Sequence, residues 1–207
     1  AYTAYGAIDA LCHILEFYLT TSTSDSSIQD SLMEGLLKNI MISADRCLID
    51  PTDYDARANL MWSASLALNG LISAGLGKVR FPMHLIEHAL TALFDIPHGA
   101  GLAITIPGWM RYSAHISPRR ISRLGKNLFG IDKGSAKESA EAAIDCLSAW
   151  FKRIAAPICL EDIGVGENSI PLIAENALPQ AKIWRMKETS KEVIEDILHC
   201  CLRKKTT

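Results

Sequence analysis

The sequence predicts an all-α fold, a single multi-helix, bundle-like domain spanning residues 1–207. Three observations point there. Apolar residues recur at three- and four-residue steps in segment after segment. No stretch sustains the two-residue alternation of a half-buried strand, and no Asn-Gly or Asp-Gly turn lies between two such strands. No composition shift is strong enough to divide the chain, and no repeat period emerges.

Each element has its own signal. Ile8, Leu11, Ile14, Leu15, Tyr18 and Leu19 give the first helix, Tyr5 to Leu19. A loop rich in capping residues, Thr20 to Ser27, leads to a second helix built on Ile28, Leu32, Leu36, Leu37, Ile40 and Met41 that ends before Asp50-Pro51. Asp53 is placed to cap a third helix, Tyr54 to Ala74, whose small residues on several faces predict a surrounded position. Gly75, Gly77 and Pro82 interrupt the chain before a fourth helix, Met83 to Phe94, stopped by Pro97. Gly99 to Met110 is ambiguous: Leu102 to Ile106 could be a short strand, but its helical neighbours favour a helix broken near Pro107. Further helices are expected at Pro118 to Phe129, Ala136 to Ala155, Ser169 to Leu178 and Thr189 to Arg203. Ser169 and Thr189 are read as caps, the latter in a capping box with Glu192.

Composition excludes several functions. With 49% hydrophobic and 21% charged residues the chain is an ordinary globular one, and a net charge of −2 provides no basic field for nucleic acid or an anionic membrane. The longest nearly apolar run, Trp62 to Gly77, is broken by Asn69 and falls short of the ~20 residues a spanning helix needs. The six cysteines form no Cys-x-x-Cys motif and read as free thiols of a reducing cytoplasm. Neither an initiator Met nor a secretory leader opens the chain, so it is expected to start inside a longer protein.

The histidines carry the chemical signal. Asp9 and His13 stand four apart on the first helix, His84 and His88 repeat that spacing on the fourth, and His98 follows the Pro97 break, where the chain can turn back toward the same pocket. Residues four apart share a helix face, and imidazoles with a carboxylate suit Fe²⁺ or Zn²⁺. Taken singly, each pair is better explained by a local hydrogen bond or a satisfied polar histidine, and only the two pairs with the post-proline His98 together bring the metal reading level. The spacing also leaves open which of His84 and His88 would ligate. Other signatures fail: Gly99-Ala-Gly101 lacks the third glycine and preceding strand of a dinucleotide fingerprint and reads as tight helix packing. There is no phosphate loop, His-Glu-x-x-His or Gly-x-Ser-x-Gly. Cys12 reads as a core thiol, and Trp62, Trp109, Trp150 and Trp184 as core or interface residues.

The segment Phe81-Pro-Met-His84-Leu-Ile-Glu-His88-Ala-Leu-Thr-Ala-Leu-Phe-Asp-Ile-Pro97-His98-Gly99-Ala-Gly101, with Asp9-x-x-x-His13 upstream, resembles the signature of the iron-containing (group III) alcohol dehydrogenases. Leu102 to Met110 and Leu128-Phe-Gly-Ile-Asp132 resemble the butanol dehydrogenase and aldehyde reductase branch, and the likeness runs over nearly the whole chain. The resemblance implies the helical C-terminal domain of the dehydroquinate-synthase-like fold. It implies Asp9, His13, His84 and His98 as ligands of Fe²⁺ or Zn²⁺, and His88 as an unligated histidine near nicotinamide and substrate, a candidate proton relay. It further implies NAD(P)H, a small alcohol or aldehyde substrate, a cytoplasmic homo-oligomer of two or more copies, and no nucleic-acid or membrane partner. The α/β domain that holds the pyrophosphate in that family is missing from these residues, so the chain alone is expected to bind metal and to be inactive as a dehydrogenase. Two alternatives stand beside this reading: a glycerol-dehydrogenase-like member of the same superfamily, and a non-catalytic helical oligomerisation module with a structural metal.

Overall fold

The computed structural model describes residues 1–23 and 26–203. Ser24 and Asp25 of the expected first loop lie outside the described residues. Nine α-helices follow one another with no strand among the described residues: α1 Tyr2–Thr20, α2 Ser27–Ile49, α3 Tyr54–Leu68, α4 Pro82–Phe94, α5 His98–Ile116, α6 Arg119–Phe129, α7 Ala136–Arg153, α8 Ile170–Ile183 and α9 Lys191–Cys200. Two short 3-10 turns, Leu160–Ile163 and Glu167–Ser169, join α7 to α8.

Two hydrophobic cores meet along α5. The first unites Ile8, Leu11, Ile14 and Leu15 of α1 with Met33, Leu37 and Ile40 of α2 and Ile144, Leu147, Trp150 and Phe151 of α7. The second gathers Leu85, Ile86 and Leu90 of α4 with Ile173 and Ala177 of α8 and Ile194, Ile197 and Leu198 of α9. Helix α5 gives Leu102, Ala103, Ile106 and Met110 to the first and Ile104 to the second, and Gly99 to Gly108 is continuously buried. A helix buried all round shows no polar stripe, which is why its periodicity was ambiguous in sequence.

The structure corrects five expectations. Helix α3 is not surrounded: only Ala56, Ser63 and Ala67 are buried, and Tyr54, Met61 and Trp62 are exposed, because its small residues rather than its large ones face the neighbouring helices. Helix α5 runs unbroken through Pro107, and neither the strand nor the break occurs: Pro107 forfeits one backbone hydrogen bond, and burial on both sides holds the helix together. Helix α3 stops at Leu68 instead of Ala74, because Asn69 accepts the Leu71 amide on its side chain and Gly70 takes a left-handed φ of +93°. The last helix is capped by Ser190, whose hydroxyl accepts the Val193 amide, one residue beyond Thr189. Ser169 makes no capping hydrogen bond, and Pro171 lies in the first turn of α8 instead. Asp53 does cap α3, accepting the Ala56 amide.

The turn between α4 and α5 sets up the site. Asp95 ends α4 in the left-handed region, its backbone amide donating to the Thr91 carbonyl at 3.0 Å. The chain re-enters a helix at His98. There Gly99 presses on α1 so closely that a β-carbon would come within 2.5 Å of the Tyr5 carbonyl oxygen. Packing this tight brings the start of α5 beside Asp9.

Candidate metal centre

Three helices bring four of the sequence-selected side chains to one point. Nε2 of His13 lies 3.4 Å from Asp9 Oδ1, Nε2 of His84 lies 3.5 Å from the same oxygen, and Nε2 of His98 lies 3.4 Å from it. Asp9, His84 and His98 present donor atoms all within 4.8 Å of one another. The His13 and His84 rings stack with centroids 4.3 Å apart. Asp9 Oδ1 and His84 Nε2 are both buried and have no hydrogen-bond partner. Buried polar atoms ordinarily have partners, and a cluster of orphaned N and O donors pointing at one another fits a divalent cation of the zinc or iron kind.

What stands behind the imidazoles differs from ring to ring. Glu16 is fully buried on α1, seven residues after Asp9, and its Oε2 lies 2.6 Å from His84 Nδ1. Glu87, fully buried on α4, pairs through Oε2 with His98 Nδ1 and through Oε1 with the Thr91 hydroxyl. A carboxylate behind Nδ1 keeps a ring hydrogen there, so Nε2 is the nitrogen that faces Asp9 and offers its lone pair once its own proton is displaced. His88 has the opposite arrangement: its Nδ1 lies 2.8 Å from the Gln180 amide nitrogen on α8 and accepts its hydrogen, so the neutral ring carries its own on Nε2. His84 and His88 thus differ in the partner behind the ring, although donor atoms of Glu87, His88 and His98 also lie within 4.8 Å of one another.

Electrostatics follow the same geometry in the metal-free chain. His98 is pushed up to about 10 by Asp9 and Glu87 beside it. His84 rises to about 9: burial alone would lower it, but Asp9 and Glu16 together outweigh burial. Burial and the neighbouring His84 bring His13 down to about 4. For Asp9, burial works upward but the His84 and His98 imidazoles prevail, holding its carboxyl well below the usual range. The centre is thus an ionised carboxylate among imidazoles, two of them holding protons that a cation would displace.

The cluster opens into a cavity of 550 Å³ lined on its apolar side by Leu68, Val79, Phe81, Trp184 and Met186, with His88 on its wall. Trp184 is therefore a wall of the site, edge-on to Phe81 at 6.2 Å and to His88 at 5.6 Å, in contrast to its expected core or interface place. The other tryptophans lie elsewhere: Trp150 is buried and donates to Asp45, Trp109 packs between the two cores, and Trp62 is exposed. Cys12 is fully buried, its sulfur 3.7 Å from Met83 Sδ and from His84 Nδ1 on the core side of the ring. Gly99-Ala-Gly101 serves packing, as its sequence suggested: a β-carbon on Gly101 would lie 2.8 Å from Glu87 Cγ.

Sequence reasoning missed Glu16, Glu87 and Gln180. The first two had a legible signal, an acidic residue placed where the helical period demands an apolar one; Gln180 had none, since α8 reaches His88 only through the fold.

A model of the Fe-containing alcohol dehydrogenase family, C-terminal part, matches residues 3–202. The chain is 32% identical over 203 residues to the probable NADH-dependent butanol dehydrogenase 1 of Bacillus subtilis, covering 97% of this chain and 52% of that protein. It is 34% identical over 170 residues to the NADPH-dependent aldehyde reductase YqhD of Escherichia coli, covering 82% of this chain and 42% of that protein. The crystal structure of NADH-dependent butanol dehydrogenase A from Thermotoga maritima superposes with a TM-score of 0.88 at 36% identity, covering 97% of this chain and 52% of that one. The chain belongs to the Fe-containing alcohol dehydrogenase family. It spans about half the length of the curated relatives it matches. The all-α architecture is the helical part of that family, and no described helix is long and apolar enough to cross a membrane.

Proposed function

We propose that this chain is the metal-binding part of an NAD(P)H-dependent alcohol dehydrogenase or aldehyde reductase acting on small alcohols and aldehydes. The reading rests on one observation above all: three imidazole Nε2 atoms from three helices surround one orphaned carboxylate oxygen at the base of an apolar-walled cavity. Asp9, His13, His84 and His98 would hold a single Fe²⁺ or Zn²⁺, which supplies Lewis-acid polarisation of the substrate oxygen, while NAD(P)H supplies the hydride. The wall of Leu68, Phe81, Trp184 and Met186 receives the alkyl part of the substrate and excludes water from the reacting carbon. His88, on the cavity wall with the Gln180 amide at its Nδ1, is the relay that takes a proton from solvent and passes it to the oxygen of a reduced aldehyde. We assign the main cofactor site to the half of the relatives' length that these residues do not match, and carry over from the family resemblance a cytoplasmic homo-oligomer of two or more copies.

A closed structural site has four protein donors and no room for a substrate; these donors face a 550 Å³ cavity instead, which favours catalysis over an inert helical module. Metal analysis after anaerobic loading tests the reading. About one Fe or Zn per chain is expected, and its loss in His98→Ala. No bound metal in the wild-type chain sinks the proposal. The 207-residue chain by itself is expected to oxidise NAD(P)H with butanal at a negligible rate, and a normal rate would refute the assignment of the cofactor site.

A further inference from the structure

We infer that Glu16 and Glu87 are positioning residues: each holds one imidazole of the centre by its Nδ1 and thereby aims the Nε2 lone pair at Asp9, so that the affinity and geometry of the metal site are set by two carboxylates outside the ligand set. This deepens the metal reading of the site and rests on it. Both glutamates are fully buried, an arrangement unfavourable for a carboxylate unless its oxygens are occupied. Both Glu16 oxygens are in hydrogen bonds; Glu87 has Oε1 in one, while its Oε2 makes none and is held by an ion-pair contact with the His98 ring. Glu16 Oε2 meets His84 Nδ1 at 2.6 Å, and its Oε1 accepts the backbone amides of Met83 at 2.7 Å and His84 at 3.2 Å. Glu87 Oε2 meets His98 Nδ1, and its Oε1 takes the Thr91 hydroxyl.

The two differ in what else they do. Phe81, the residue preceding α4, offers no side-chain cap, so Glu16 reaches across from α1 to satisfy the first-turn amides of α4. It fixes the helix and the ring on that helix together. Glu87 caps nothing; its contacts are the His98 ring and one threonine of its own helix, and the absent side chain of Gly101 leaves it the space. Glu87 is therefore the residue in which aiming the ligand can be separated from building the fold. A carboxylate behind a ligating imidazole is worth about 10–100-fold in metal affinity.

The test measures Zn²⁺ affinity of the 207-residue chain by competition with a chromophoric chelator, together with the visible d–d spectrum of the Co²⁺-loaded form and the far-UV circular dichroism of the metal-free form. Glu87→Gln and Gly101→Ala are each expected to weaken Zn²⁺ by about 10–100-fold and to shift the Co²⁺ bands while leaving the helical spectrum unchanged. Glu16→Gln should lower both affinity and melting temperature, since it also loosens the start of α4. Gly101→Ala keeps both carboxyl groups in the chain and pushes that of Glu87 aside, so it decides the matter if Glu87→Gln fails to fold. Wild-type affinity and Co²⁺ spectrum in Gly101→Ala and in any folded Glu87→Gln would overturn the inference alone. A wild-type chain that binds no Zn²⁺ or Co²⁺ would overturn the proposed function and this inference with it.

Discussion

Two clefts of this molecule have much the same inventory of chemical groups and differ in what those groups can do. One holds Asp9, His13, His84, His88 and His98; the other, between α5, α7 and α9, is lined by His115, His199, Cys200, Glu141, Asp145, Arg111 and Arg203. In the first, donor atoms converge on a single oxygen and are backed by buried carboxylates. In the second, no three ligand-type atoms come together among the described residues, and the His199 imidazole lies 3.7 Å from Glu167 on the exposed surface. Having histidines and acids in a cleft is not a site. Convergence of their lone pairs is, and it needs fixed helices and something behind each ring.

The largest effect that would break the contrast comes from the converging set itself. Asp9→Ala or His98→Ala should abolish metal retention, seen as loss of the roughly one metal per chain by elemental analysis. Next is pH. His84 and His98, raised to about 9 and about 10, carry protons at neutral pH in the metal-free chain. Their protons stabilise the metal-free fold fully below the ordinary value of 6.5, and that contribution is lost as pH rises through 9 to 10. Thermal melts of metal-free protein should therefore show falling stability between pH 7 and 10, while Zn²⁺ affinity, which requires displacing those protons, rises over the same window. An affinity that levels off near pH 7 would mean that the two histidines are not held by their carboxylates.

A subtler test replaces the ring that lies outside the converging set. His88→Phe keeps a ring on the cavity wall and removes the group that could carry a proton. In the complete enzyme this should lower kcat for aldehyde reduction by about 10²-fold at unchanged metal content, the scale of a lost general acid. Full kcat in that variant would remove His88 from the proton path. The smallest effect belongs to the second cleft: His115→Ala and His199→Ala should leave metal content and affinity at wild-type values, and a loss in either would erase the distinction between the clefts.

Much of this was legible before any coordinates. Periodicity located all nine helices, because each of them except α3 and α5 presents an apolar stripe to a core and polar residues to water. The i, i+4 spacings of Asp9 with His13 and of His84 with His88 put each pair on one helix face, as the spacing required. The misjudged ends share one cause. Asn69-Gly70 stops α3 through a local side-chain turn, and Pro107 is tolerated through burial on two sides; an apolar count registers neither. Trp184 was misplaced because α8 faces the cavity only once α4 and α8 have packed.

The sequence by itself determined the helices, the family and which acids and imidazoles could share a helix face, since those follow from a 3.6-residue period and from motif spacing within a segment. Only the tertiary structure decided which ring nitrogen faces the centre. That choice depends on the partner of the other nitrogen, and Glu16 for His84 and Gln180 for His88 come from helices 68 and 92 positions away along the chain.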